Sequence, residues 1–373
     1  MLKESQDRIH QSHNFHNIYI EKEVSQDIWV KDFLSTFPCA QKIEIESLSQ
    51  ILEKTSSLPY PVDEEGFHSL VLAKQRGPFI RPCPCSQESI RCGYYFLSVG
   101  LGCPIDCSYC FLQGFLNTPF PVLYTNFSDM KKELIEWENR LSKENRRIRI
   151  GTGEMTDSLI FEPLTGYAKR LIQIFSQLPH MMLELKTKSI FSDSLLGIPF
   201  DNIVLAWSLN PCEIAQLEEP NAPCPKDRIL AAEKAVKSGY KVGFHFDPIV
   251  AYPNWKELYY EILCFLFQKI PCQSIAWISL GTFRIFPSLR DTIRERHPES
   301  KSLWAELVTG YDGKLRYFRK QRKEIYCFMR DSIQNLGNSS VPIYLCMESK
   351  ELWQDVFGEL YEPGRNTILR EFK

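Results

Sequence analysis

The chain has 373 residues, of which 44% are hydrophobic and 24% charged, the make-up of an ordinary globular protein rather than a disordered or fibrous one. Lys plus Arg number 44 against 46 Asp plus Glu, a net charge of −2, so whole-chain attraction to nucleic acid or anionic membrane is not implied. No apolar run approaches the ~18 residues of a membrane span, and the polar start Met1-Leu2-Lys3-Glu4-Ser5-Gln6 has no signal-peptide core.

A cytoplasmic location is therefore expected. There, 13 cysteines, an odd number, argue against a disulfide framework and for metal or redox chemistry where they cluster. Residues 1–90 read as an N-terminal α/β extension. Ile18-Tyr19-Ile20 is a strand, Ile28 to Phe37 and Leu48 to Lys54 have helical apolar spacing, and Ile43-Glu44-Ile45 alternates between them. Pro59 to Gly66 reads as a loop.

From residue 94 a strand–helix alternation sets in. Strands are expected at Tyr94 to Gly100, Ile148 to Ile150, Met181 to Leu185, Ile203 to Trp207, Val242 to Phe246 and Ile275 to Leu280. Helices fall at Ser128 to Asn145, Leu164 to Leu178, Lys226 to Ser238 and Trp255 to Lys269. Asp227 stands near the start of the third, and Gly239 closes it. Such alternation means βαβ units and a parallel sheet. Six units in succession predict an α/β fold, a partial (β/α)6 TIM-like barrel over 91–290. Residues 291–373 then form a C-terminal helical segment, with a long helix from Lys314 to Asn335 and a last strand, Val341 to Cys346.

Chemistry concentrates in Cys103-Pro104-Ile105-Asp106-Cys107-Ser108-Tyr109-Cys110. Three thiolates at Cys-x3-Cys-x2-Cys can hold three irons of one cubane, leaving the fourth open to a small molecule. A zinc site is the alternative metal reading, and three buried free cysteines the non-metal one. Upstream, Cys83, Cys85 and Cys92 could hold a second iron–sulfur cluster if a fourth ligand came from elsewhere. Cys39, Cys212, Cys224, Cys264, Cys272 and Cys327 show no ligand-like spacing and read as structural.

Cys103, Cys107 and Cys110, with Tyr109 before the last, resemble the radical S-adenosylmethionine signature. The longer run Gly102 to Gln113 and the segment Ile18 to Glu21 are similar to the spore photoproduct lyase branch, also called DNA repair photolyases. The resemblance implies a [4Fe-4S] cluster on the three cysteines. It also implies S-adenosylmethionine chelated to the open iron, and reductive cleavage to a 5′-deoxyadenosyl radical that abstracts hydrogen from a substrate. A reductant such as flavodoxin or ferredoxin is implied as partner. Tyr109 would flank the adenine, and Gly151, Gly153, Glu154 and Lys188 would hold the methionine end. Ser208 and Asn210 would contact ribose or methionine. His245, Asp247 and Arg284 are substrate-pocket candidates by position, at strand ends where parallel barrels place function.

The sequence departs from the branch at two points. Glu154 stands where the branch has a hydrogen-donating cysteine, and Phe111 where it has a tyrosine of the hydrogen relay. Cys346, at the end of the last strand, is the replacement thiol donor, or else a buried structural cysteine. The expected function is a spore photoproduct lyase-like radical enzyme acting on an unidentified substrate. The alternatives are a genuine thymine-dimer lyase with a different thiol, and a non-catalytic iron–sulfur or zinc protein. Lys314, Arg316, Arg319, Lys320, Arg322 and Lys323 either contact nucleic-acid phosphate or form a solvated helix face.

Overall fold

The computed structural model describes residues 15–55, 68–85, 89–116 and 118–358. The polar start and the expected loop at 59–66 lie outside them. The first part of the chain forms β1 (Asn17–Glu21), α1 (Ile28–Ser35), β2 (Gln41–Ile45), α2 (Leu48–Thr55) and β3 (Ser69–Ala73). Then come β4 (Ile80–Pro82), β5 (Tyr94–Leu97), β6 (Gly100–Leu101), β7 (Val122–Tyr124), α3 (Phe127–Lys143), β8 (Ile148–Gly151) and α4 (Tyr167–Phe175). The middle of the chain supplies β9 (Met181–Thr187), β10 (Ile203–Ser208), α5 (Cys212–Glu218), α6 (Pro225–Lys237), β11 (Lys241–Ile249), α7 (Trp255–Lys269) and β12 (Ile275–Thr282). Last are β13 (Arg284–Ile285), α8 (Leu289–Arg296), β14 (Val308–Thr309), β15 (Leu315–Arg316), α9 (Arg319–Leu336), β16 (Ile343–Leu345) and α10 (Lys350–Phe357).

Strands β5, β8, β9, β10, β11 and β12 are neighbours in chain order and all parallel, the expected six-unit partial barrel. β16 extends the sheet beyond β12 in parallel, and β4 borders β5 antiparallel. A strand covered on both faces must be apolar throughout: all six residues of β10, IVLAWS, are buried. The edges of the sheet come together, since Ile90 N–H donates to the Glu348 carbonyl at 3.0 Å and Ser89 bridges to Ser349. The segment upstream of β5 therefore spans the barrel's opening to the chain just past β16.

A second sheet runs β2-β1-β3-β7-β6. It takes β6 and β7 from beyond residue 90. The buried Glu21 ends β1 and joins this region, accepting from Leu48 N at 2.6 Å, Lys74 N at 2.8 Å and Arg76 at 3.0 Å.

Three expectations need correction. The strand expected at Tyr94 to Gly100 is two: β5 ends where Ser98 N–H closes its ladder on the Phe79 carbonyl at 2.8 Å, and from Val99, whose carbonyl accepts from Tyr124 N–H at 3.1 Å, the chain passes to the other sheet. The helix expected at Leu164 to Leu178 breaks at Gly166, whose φ of 57° is left-handed. The basic stretch is not one helix: Lys314 precedes β15, Arg316 lies within it opposite Arg284, and α9 begins only at Arg319. Four of its charges are paired with carboxylates. Arg316 pairs with Asp312 at 2.5 Å, Arg322 with Glu348 at 3.1 Å, Arg319 with Asp355 at 2.7 Å and Lys323 with Asp355 at 3.7 Å. Arg316 and Arg322 are buried, while Arg319, Lys320 and Lys323 stay exposed on the first turns of α9.

Leu205 sits fully buried in β10 at the middle of the barrel. Leu205→Ala is expected to cost about 2–5 kcal/mol, read from the shift of the urea midpoint at unchanged slope. A loss under about 1 kcal/mol would contradict the packing described.

Candidate active site

The loop of three cysteines leaves β6 through Gly102, with φ 84°, and turns again at Asp106, with φ 53°. Left-handed geometry at both ends of Cys103-Pro104-Ile105 curls the chain back on itself. Cys103, Cys107 and Cys110 line one small cavity together with Asp106, Leu112 and Gln113. Burial pushes all three thiols up from their ordinary value, and Lys188 pulls Cys107 and Cys110 back toward the thiolate. The Lys188 ammonium lies 5.7 Å from the centre of the Tyr109 ring. Burial draws Lys188 down, but Cys107 and Glu219 outweigh it and hold it protonated.

Residues far away in sequence position this loop. Gly102 N–H donates to the Met155 carbonyl at 2.8 Å, tying it to the loop after β8. Ser108 N–H donates to the Glu218 carbonyl at 2.9 Å, and the Ser108 hydroxyl to the Glu218 carboxylate. The Tyr109 hydroxyl donates to Glu219, which also takes Asn210 Nδ2 at 2.8 Å and the buried Arg228 at 2.5 Å. Glu218 further accepts from Tyr252 at 2.5 Å, Ser300 at 2.7 Å and Lys301 N at 2.9 Å. Asp106 is gripped by Arg296 at 2.9 and 3.0 Å, and Arg296 also donates to the Gln113 side-chain oxygen. Gln113 returns its amide to the Cys107 and Ser108 carbonyls at 2.6 and 3.1 Å.

A second set lines the barrel interior and mouth. A Cβ on Gly151 would overlap the Tyr94 ring, and one on Gly153 would meet the Lys186 carbonyl at 2.6 Å. Both glycines are thus required by close approach. Glu154 reaches Lys186 at 3.5 Å. Deeper, His245 bonds Glu184 at 2.6 Å, and Arg149 faces Glu184 at 3.8 Å while stacking against Tyr94, Trp277 and Tyr344. Asp247 and Arg284 pair at 2.9 and 3.2 Å, and Cys346 Sγ lies 3.5 Å from Arg284. Asp157 links the two sets: it accepts from Thr187 at 2.6 Å and from Lys188 N at 2.7 Å, and its charge acts on Cys103.

The cysteine loop thus gathers Tyr109, Lys188 and Asn210 around Cys103, Cys107 and Cys110. The barrel mouth gathers Glu154, Asp247, Arg284 and Cys346. Asn210 spends its amide on Tyr109, Glu219 and Tyr259, and the Ser208 carbonyl accepts from Arg228 at 2.9 Å. Phe111 faces outward against Phe115 at 5.9 Å, away from the buried core. Cys83 and Cys85 hold their sulfurs 3.2 Å apart, and Cys92 lies 3.6 Å from Arg149. Cys212 and Cys224, read as isolated, are also neighbours at 3.3 Å. Sequence reading missed Glu184, Lys186, Glu218, Glu219 and Arg296, whose partners lie far off along the chain. The signal that could have found Glu184 and Lys186 is their position in an expected strand and just past its end.

Comparison with known proteins shows the family. The family model described as spore photoproduct lyase matches residues 85–345. The chain belongs to the spore photoproduct lyase family. As a member it is a radical S-adenosylmethionine enzyme with the partial-barrel fold. The spore photoproduct lyase of Clostridium acetobutylicum is 25% identical over 291 residues, 75% of this chain and 83% of that one. That of Geobacillus sp. is 26% identical over 253 residues, 64% of this chain and 72% of that one. A solved spore photoproduct lyase complexed with dinucleoside spore photoproduct superposes with a TM-score of 0.75 at 21% identity, covering 89% of this chain and 99% of that one. Among the described residues no helix is long and apolar enough to cross a membrane.

The barrel interior makes a pH prediction. Burial pushes the Glu184 carboxyl up, but Arg149 and His245 outweigh it and bring it down from 4.5 to about 2. A depressed carboxyl stabilises the fold above its unfolded value and loses that contribution as pH falls through the folded one. The melting-temperature gap between the protein and its Glu184→Gln variant should be widest near neutrality. It should narrow as pH drops below about 4.5. A gap that widens steadily in that window would contradict the assignment.

Proposed function

We propose that this family member binds one [4Fe-4S] cluster through Cys103, Cys107 and Cys110 and uses S-adenosylmethionine to start radical chemistry on a substrate at the barrel mouth. The observation that carries the reading is the state of the cavity the three thiols line. Its other polar side chains are already committed, Asp106 to Arg296 and Gln113 to Arg296 and two carbonyls. An iron corner facing that cavity is thus left to an outside ligand. Zinc fits less well, since one zinc draws its sulfurs to within about 2.3 Å of a single point. Among the described residues no three His, Cys, Asp or Glu groups converge in that way.

When bound, the cluster supplies the electron that cleaves the sulfonium and frees a 5′-deoxyadenosyl radical. The chain's own residues position, charge-match and shield. Lys188, kept protonated beside Cys107, suits a carboxylate, and Glu154 suits an ammonium. Tyr109, held by Glu219, fixes the height of the loop beneath the adenine. The buried barrel strands keep bulk water from a carbon radical. Cys346 is the hydrogen donor to the substrate radical: its sulfur sits beside the Asp247–Arg284 pair at the mouth, and a thiol gives up hydrogen far more readily than Glu154 or Phe111. A protein of the flavodoxin or ferredoxin kind would deliver the electron.

A second reading names the substrate as a thymine photoproduct in DNA. It is favoured by the names of the relatives and by a thiol at the mouth in place of the missing donor. Repair of a dinucleotide spore photoproduct by the reconstituted protein would establish it.

Anaerobic reconstitution should load about four irons per chain, rather than the near-double content that a second cluster on Cys83, Cys85 and Cys92 would give. Cys103→Ala, Cys107→Ala or Cys110→Ala should lose both the iron absorbance and 5′-deoxyadenosine release. Iron retained in all three variants would refute the ligand set. Cys346→Ala should keep 5′-deoxyadenosine release within about threefold while product falls by about a hundredfold or more. An equal fall in both would remove Cys346 from the role of donor.

A further inference from the structure

We propose that Cys83 and Cys85 form a dithiol–disulfide couple that restores the hydrogen Cys346 gives away; the inference rests on the reading of Cys346 as donor. The two sulfurs are 3.2 Å apart, and a bond of about 2.0 Å needs only a small side-chain rotation. The pair sits on the segment that crosses the barrel opening, anchored on one side by Cys83 N–H donating to the Tyr94 carbonyl at 3.0 Å and on the other by Ile90 and Ser89 bonding to Glu348 and Ser349. β16, which ends just before Cys346, lies on the far side of the same opening. Cys346 lies in the electrostatic field of both Cys83 and Cys92, and Cys83 in that of Glu154 and Lys186. The dithiol therefore borders the same interior as the donor.

Protonation suits hydrogen transfer. The hydrogen bond with Cys85 and burial raise Cys83, and burial raises Cys346. Both stay S–H, the form that donates an atom, rather than thiolate, the form that attacks or binds metal. The disulfide closes across a single residue, Pro84. Strained, accessible bridges of that kind are the labile and catalytic ones.

The steps balance. A substrate carbon radical takes hydrogen from Cys346, so a C–H bond forms, an S–H bond breaks and a thiyl is left on Cys346. That thiyl takes the hydrogen of Cys83. The Cys83 thiyl then bonds to the Cys85 sulfur, whose proton goes to solvent and whose surplus electron goes to a one-electron acceptor of the iron–sulfur class. The dithiol has then lost one hydrogen atom, one proton and one electron, and an external dithiol reduces the bridge by exchange.

The test uses the full chain in two arms. In a glutathione redox series without cluster or substrate, differential alkylation and mass spectrometry should show Cys83 and Cys85 oxidising together and reversibly, before Cys92 and Cys346. Both thiols staying reduced across the series would overturn the proposal. In the second arm the reconstituted protein turns over dinucleotide spore photoproduct, in one half with an external dithiol and in the other with no added thiol. Without the thiol, disulfide at Cys83–Cys85 should rise with product. With the external dithiol present, Cys85→Ser should leave 5′-deoxyadenosine release in the first turnover within about threefold yet stop near two products per chain, one hydrogen from Cys346 and one from Cys83, while the parent continues. A Cys85→Ser protein that continues like the parent, or iron near eight per chain with no bridge formed, would overturn it. Loss of 5′-deoxyadenosine in the unmutated protein would instead strike the function proposed above and leave the first arm to decide the couple.

Discussion

Two consecutive buried carboxylates, Glu218 and Glu219, hold the chemistry of this molecule in place. Burying a charge is costly unless it is paired and hydrogen-bonded. Here Glu219 meets Arg228, Tyr109 and Asn210, and Glu218 meets Ser108, Tyr252, Ser300 and Lys301. The loop from Cys103 to Cys110 has hardly any regular structure of its own, so its shape is set from outside. Removing one partner would leave a buried charge uncompensated and free the residues between the cysteines. The same pair therefore serves stability and the shape of the cysteine loop.

The rest of the site follows from charge matching inside a parallel barrel. Strands β8, β9, β11 and β12 deliver alternating signs to one interior: Arg149, Glu184 and Lys186, His245 and Asp247, and Arg284 just beyond the last. Each is offset by a neighbour from another strand. Burial makes His245 neutral despite Glu184 beside it. The interior is polar, with its charges paired across strands. Thiols gather at the barrel's opening, where Cys83, Cys85, Cys92 and Cys346 come from both edges of the sheet.

Much of this was legible in the sequence because its signals are local. Strands such as Ile203 to Ser208 are unbroken apolar runs, and Trp255 to Lys269 carries its full helical period. The three cysteines declare themselves by spacing within one loop. What escaped depends on distance along the chain. Glu218 and Glu219 meet Ser108 and Tyr109 across 110 residues, and Arg296 meets Asp106 across 190. Neither pairing leaves a trace in composition or periodicity. The basic run at 314–323 splits for a related reason: the carboxylates Asp312 and Glu348 draw Arg316 and Arg322 inside, while Arg319 and Lys323 stay at the surface beside Asp355. The strand at Tyr94 was read too long because an apolar run does not reveal that it changes sheets.

The proposed function requires a cubane held by three thiolates, its remaining iron open to an outside ligand. Electron paramagnetic resonance of the anaerobically reduced, reconstituted protein tests it most directly, with and without S-adenosylmethionine bearing a magnetic label in its amino or carboxylate group. The account predicts a shifted cluster signal on addition and coupling between the label and the cluster. An unchanged signal without coupling, in protein carrying its full iron, would contradict it.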